Sequence, residues 1–153
     1  MFEGNEDVAF GDVNLQESAQ DFRGEPNNPG LGGWPTIRFF NKETGTAGGN
    51  YKKVTDLPMC QELLDRMRMI DYIEGYGKTV LCGLDGKNCN EKELGYLEKM
   101  KAENSEEHQK QMDRLVVMTS NPMNSDLEEW AFRRMRILKK LLATSGGATS
   151  SEL

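Results

Sequence analysis

The chain has a single histidine among 153 residues and only three cysteines, none of them forming a Cys-x-x-Cys pair. Without such a pair there is no ready resolving thiol beside an activated thiolate, which argues against thiol oxidoreductase chemistry in this chain. The separations between Cys60, Cys82 and Cys89, 22 and 7 residues, fit no zinc knuckle either. A basic excess is also missing. The net charge of -6 and pI near 4.9 argue against nucleic acid as the main partner, because phosphate binding needs clustered cations. No apolar run is long enough to span a bilayer, and no signal peptide is visible at Met1. The carboxylates are scattered, with no nucleophile or metal cluster beside them. The sequence therefore assigns no catalytic residue, no cofactor site and no metal site.

What is present divides into two textures. Residues 1–90 carry 9 basic and 14 acidic groups, a net of -5, and are rich in Gly, Pro and Asn. Residues 91–153 carry 10 basic and 11 acidic groups, a net of -1, and read as helical. The boundary falls at Gly83-Leu84-Asp85-Gly86-Lys87-Asn88, whose Asp-Gly pair and glycines mark a turn or linker. The expected organisation is a domain over 1–82, a linker over 83–89, a helical domain over 90–143 and a disordered tail over 144–153.

In the first part, Val8–Asn14 reads as a short strand and Leu15–Phe22 as one or two helical turns. Thr36–Phe40 is the best strand, with Ile37 and Phe39 on one face. A turn at Asn41–Gly45 and a second strand near Asn50–Val54 follow. The glycines of Gly45–Asn50 lack the Lys-Ser/Thr ending of a phosphate loop and read as turn residues. Thr55 or Asp56 caps one helix, in which Met59, Leu63, Met67 and Ile70 recur on a single apolar face. A Cys60–Cys82 disulfide is open to the chain in an oxidising compartment, the alternative being reduced or otherwise paired thiols. In that arrangement Cys89 is the odd cysteine.

In the second part, Asn90-Glu91-Lys92-Glu93 has the form of a capping box, and Leu94, Leu97 and Met100 continue that helix. Ser105-Glu106-Glu107 opens a second, carried by Met112, Leu115 and Val116. Ser125-Asp126-Leu127-Glu128 opens a third, with a stripe from Leu127 and Trp130 to Leu141 and Leu142. Short connections favour antiparallel neighbours in a small bundle. His108, among acids and amides, reads as a solvated residue. Arg133, Arg134, Arg136, Lys139 and Lys140 read as helix-end electrostatics, with docking of an acidic protein as the alternative.

Asp12-Val13-Asn14, Gly33-Trp34-Pro35-Thr36-Ile37-Arg38-Phe39-Phe40 and Tyr51-Lys52-Lys53 together resemble the second half of a thioredoxin-fold domain of the protein disulfide isomerase type. The resemblance covers about residues 7–82. It implies a cis peptide before Pro35 and a substrate-contacting loop made by Trp34, Pro35 and Thr36. It also implies that the Cys-x-x-Cys segment of the family is missing, so that the chain is a fragment or a shortened relative. Tyr96–Met100, Gln111–Leu115 and Arg133–Leu141 resemble the helical carboxy-terminal domain of certain endoplasmic-reticulum disulfide isomerase relatives, over about residues 91–142.

The fold class expected from this is α/β, a partial thioredoxin-like fold followed by a small all-α domain. The expected function is a redox-inactive, chaperone-like protein that binds client or partner polypeptides, with no nucleic acid and no membrane insertion. The alternatives are a fragment of a disulfide isomerase-like oxidoreductase and a structural subunit of a larger assembly. Unpaired sheet edges in a truncated domain would leave the chain a weakly cooperative monomer, an oligomer or dependent on a partner. The resemblance places the chain in the endoplasmic reticulum lumen, with the cytoplasm as the alternative. The ending Ser150-Ser151-Glu152-Leu153 only partly matches a luminal retrieval signal.

Overall fold

A computed structural model describes residues 1–14 and 36–146. Those residues form two compact units, Gly4–Thr79 and Val80–Leu153 together with Met1–Glu3. The architecture is mostly helical.

In the N-terminal unit, β1 (Arg38–Phe39) pairs antiparallel with β2 (Gly49–Asn50), with Phe39 opposite Gly49. The glycine is required there. A Cβ at Gly49 would run into the Phe39 ring, which lies over its partner residue. Asn41 builds the turn: its side-chain oxygen accepts the Glu43 and Thr44 N–H groups, each at 3.0 Å, an arrangement that suits Asn at turn starts. A short α1 (Met59–Leu63) and α2 (Arg66–Gly77) follow. Asp65 starts α2 by accepting the Arg68 N–H at 3.1 Å, and Lys78, left-handed at φ 53°, ends it.

This overturns the expected α/β class. Among the described residues the only sheet is this two-stranded, unclosed one, not the mixed sheet core of a thioredoxin-like domain. Val8–Asn14 forms no strand. The single helix expected from Met59 to Ile70 is broken at Leu64 and Asp65, because Asp65 caps a new helix instead of continuing the old one. Trp34, Pro35 and the expected turns of Leu15–Phe22 lie outside the described residues.

The C-terminal unit contains α3 (Glu91–Lys101), α4 (Ser105–Thr119) and α5 (Ser125–Gly146). Each begins at an asparagine. Asn90 forms the full capping box with Glu93, at 2.9 Å to the Glu93 N–H and 2.8 Å in return. Asn104 accepts the Glu107 N–H at 2.9 Å, and the Asn124 side chain accepts the Asp126 N–H at 2.9 Å. Such caps satisfy otherwise orphan donors and contribute about 1 kcal/mol each. The helices close over Leu97, Met100, Leu115, Ala131, Ile137 and Leu138, all essentially without solvent contact. Burying each leucine contributes about 2 kcal/mol. The helix α4 packs along α5, and α3 also meets α5.

Residues 83–89, expected as a linker, form a closed loop in this unit. Cys82 is joined to Cys89 by a disulfide, and Cys60 is the free, exposed thiol, so the Cys60–Cys82 pairing is not formed. Backbone bonds from Gly83 N–H to Lys87 O at 2.9 Å and from Gly86 N–H to Gly83 O at 3.0 Å fold the loop. Gly86 at φ 86° and Asn88 at φ 59° supply the left-handed turns that return the chain on itself.

Candidate functional site

Two constellations stand out, one in each unit. In the N-terminal unit the carboxylate of Glu62 is fully buried. It accepts the Tyr51 hydroxyl at 2.6 Å, the Val54 N–H at 3.0 Å, the Thr55 N–H at 2.7 Å and the Thr55 hydroxyl. Burial disfavours the charge, but the hydrogen bonds from Thr55, Tyr51 and Val54 outweigh it and hold the carboxyl at about 2, against an ordinary 4.5. Burial, with the Glu62 bond second, pushes Tyr51 up to about 12. Beside it Phe39, Tyr72 and Tyr76 stack, with ring centroids 4.1 Å apart for Phe39–Tyr76 and 4.7 Å for Tyr72–Tyr76. A carboxylate so fully supplied with donors from one segment serves the fold, locking residues 51–55 onto α1. Its lone pairs are committed to those donors, which leaves it poorly disposed to act as a base.

The second constellation spans all three helices of the C-terminal unit. Arg133 donates to Glu93 at 3.0 Å, to Glu129 at 2.8 Å and to the Met1 carbonyl at 2.9 Å. These bonds to two carboxylates hold its proton more firmly than usual, against the burial that opposes its charge. Arg134, the next residue, has a different environment. Its guanidinium carbon lies 5.4 Å from the centre of the Trp130 ring and 6.0 Å from that of Tyr96. The two rings meet edge-on at 5.9 Å. Arg134 makes one long bond, from Nε to the Trp130 carbonyl at 3.5 Å, and among the described residues no carboxylate pairs with it. Burial lowers its pKa, and the charge of Arg114 on α4 adds to the effect.

Two further groups complete this face. The Tyr96 hydroxyl is buried with no hydrogen-bond partner among the described residues, and burial raises its pKa. On the turns of α4 and α5 nearest their connection, Val117 (66% exposed), Met118 (37%) and Leu127 (60%) present apolar surface. Helical spacing puts Arg114, Val117 and Met118 on one side of α4, and Leu127, Trp130 and Arg134 on one side of α5. The five-residue connection from Ser120 to Asn124 joins two helices that pack along each other.

Other expected site residues fall elsewhere. Thr36 is half-buried just before β1, while Trp34 and Pro35 lie outside the described residues. Cys60 is exposed on α1, apart in sequence and in unit from the bridged pair. His108 is buried, not solvated: its Nε2 lies 2.7 Å from the Met100 carbonyl. A carbonyl can only accept, so Nε2 carries the proton. The spacing of His108, Met112 and Leu115 already put the histidine on the apolar side of α4, a signal that outweighs its polar neighbours. The basic stretch is not a helix end, since α5 runs on to Gly146, past the boundary expected at 143. Lys140 instead reaches the Cys82 carbonyl at 2.8 Å.

Among the described residues no group of three or more His, Cys, Asp or Glu is placed to hold a metal ion. No helix there is long and apolar enough to cross a membrane. Compared with known proteins, the chain matches no family model, no curated protein and no solved structure. The thioredoxin and disulfide isomerase resemblance is thus unsupported by any match and is contradicted by the fold, and the functions inferred from it fall with it. Fold and site define a mostly helical, two-unit protein whose C-terminal unit carries a disulfide-closed loop.

Proposed function

We propose that this chain is a polypeptide-docking protein and that α4 and α5 form its docking face. The observation that carries the reading is the exposure of Val117, Met118 and Leu127 on two helices that pack along each other, with Arg134 held over Trp130 on the second of them and without a carboxylate partner among the described residues. Exposed apolar side chains together with Arg and Trp are the composition that interface centres favour. A helix pair offering such a stripe suits an amphipathic segment laid along it. The disulfide between Cys82 and Cys89 favours an oxidising compartment, of which the endoplasmic reticulum lumen is one.

The test is binding of fluorescein-labelled amphipathic peptides to the full chain, followed by anisotropy. The Val117→Asp and Leu127→Asp variants alter exposed positions and should fold normally by circular dichroism. Burying a charge at either position should weaken binding by roughly tenfold or more. Binding that both variants leave unchanged would refute the assignment of this face.

A further inference from the structure

The docking face contains a feature that apolar contact does not explain. Arg134 is half-buried, held over two aromatic rings, and lacks a counter-ion among the described residues, although its neighbour Arg133 has two. Arg114 is exposed on α4, the helix that packs along α5. The Tyr96 hydroxyl belongs to the ring that carries Arg134 and is buried without an acceptor among the described residues. Two guanidinium groups and an unpaired hydroxyl are three sets of donors in want of an acceptor. An unsatisfied buried hydroxyl is costly, and so is a half-buried guanidinium without a counter-ion. Both costs are relieved by one negatively charged group with several lone pairs.

We propose that Arg134, Arg114 and Tyr96 form a carboxylate-binding site that receives a glutamate or aspartate side chain of the docked polypeptide. The inference rests on the docking reading above. Nε of Arg134 is turned to the Trp130 carbonyl, which leaves the terminal nitrogens to grip a carboxylate through two parallel bonds. Trp130 and the Tyr96 ring provide apolar walls for the methylene stem of the acidic residue. Glu107 on α4, whose charge bears on Tyr96, is engaged by Gln111 at 2.7 Å and Lys110 at 3.7 Å and makes no bond to the Tyr96 hydroxyl.

The experiment compares two peptides that bear the same Leu and Phe residues, one with Glu and the other with Gln at every polar position, each titrated against the full chain. The Glu peptide should bind about tenfold or more tightly, with the preference shrinking as salt is added. Arg134→Gln and the exposed Arg114→Gln should each erase most of that preference, read as the ratio of Glu-peptide to Gln-peptide affinity within each variant. Arg134→Lys keeps the charge, loses the fork, and should retain only part of it. Equal binding of the two peptides by the parent protein would overturn the carboxylate site while leaving the docking face intact. Failure of both peptides to bind would remove both readings. Displacement of the Glu peptide more effectively by inorganic phosphate than by acetate, at matched ionic strength, would also overturn the proposal.

Discussion

Reducing the Cys82–Cys89 bridge should lower the stability of the C-terminal unit without dismantling it. The bridge closes a loop across seven residues of sequence separation. Loop-closure entropy for a ring of that size gives about 2.4 kcal/mol near room temperature, acting through the unfolded chain. For a unit of this length that is roughly 10 °C or more in the unfolding midpoint. The native loop has its own support. Gly83, Gly86 and Lys87 are tied by backbone bonds, the Asn88 side chain donates to Val80 O at 3.1 Å, and Lys140 anchors Cys82 O. Helicity in the absence of denaturant should therefore survive reduction. The assay is urea unfolding followed by circular dichroism, with and without a dithiol, on Cys60→Ser protein so that the exposed thiol plays no part. A Cys82→Ser/Cys89→Ser double variant is the covalent control. Thiol titration must show that both sulfurs are free. An unchanged midpoint after complete reduction would refute the entropic argument, and loss of helicity without urea would refute the claim that hydrogen bonds hold the loop.

Two more predictions concern buried charge. Glu62 has a folded pKa of about 2 against an ordinary 4.5, so its contribution is fully present above pH 4.5 and is lost as pH falls from there towards 2. Urea midpoints of the N-terminal unit should drop through that window, and Glu62→Gln should be less stable at neutral pH and lack most of the drop; an identical pH profile for the variant would contradict this. Arg133→Met should cost the C-terminal unit about 3 kcal/mol, because it strands Glu93, whose side chain is 1% exposed. Adding Glu93→Gln should recover part of the loss, and strictly additive effects would show that the pair is not coupled.

The parts legible in the sequence were those decided locally. The capping box at Asn90 and Glu93 and the apolar spacing through Leu97, Met100, Leu115 and Leu138 depend on residues three and four apart, and the structure contains those helices. The parts that misled were decided by distant partners. A run such as Ile37-Arg38-Phe39-Phe40 has strand character, yet only Arg38 and Phe39 are paired as strand residues, with one further bond from the Tyr51 N–H to the Ile37 carbonyl at 3.0 Å, because the sheet extends no further among the described residues. Similarity to a thioredoxin strand followed from that local character and carried no information on what lay beside it. Arg133 and Arg134 are chemically identical neighbours with opposite environments: successive residues sit about 100° apart around α5, one towards Glu93 and the other over Tyr96. The partner of Cys82 depended on two left-handed residues, Gly86 and Asn88, in a stretch that composition alone marked as a linker.

The central claim, that α4 and α5 form a docking face for acidic polypeptides, is tested most directly by nuclear magnetic resonance of the full chain titrated with the glutamate-bearing peptide. The account predicts shift changes concentrated at Arg114, Val117, Met118, Leu127, Trp130 and Arg134, together with the Tyr96 ring. Changes confined to the N-terminal unit, or none on these residues at saturating peptide, would contradict it.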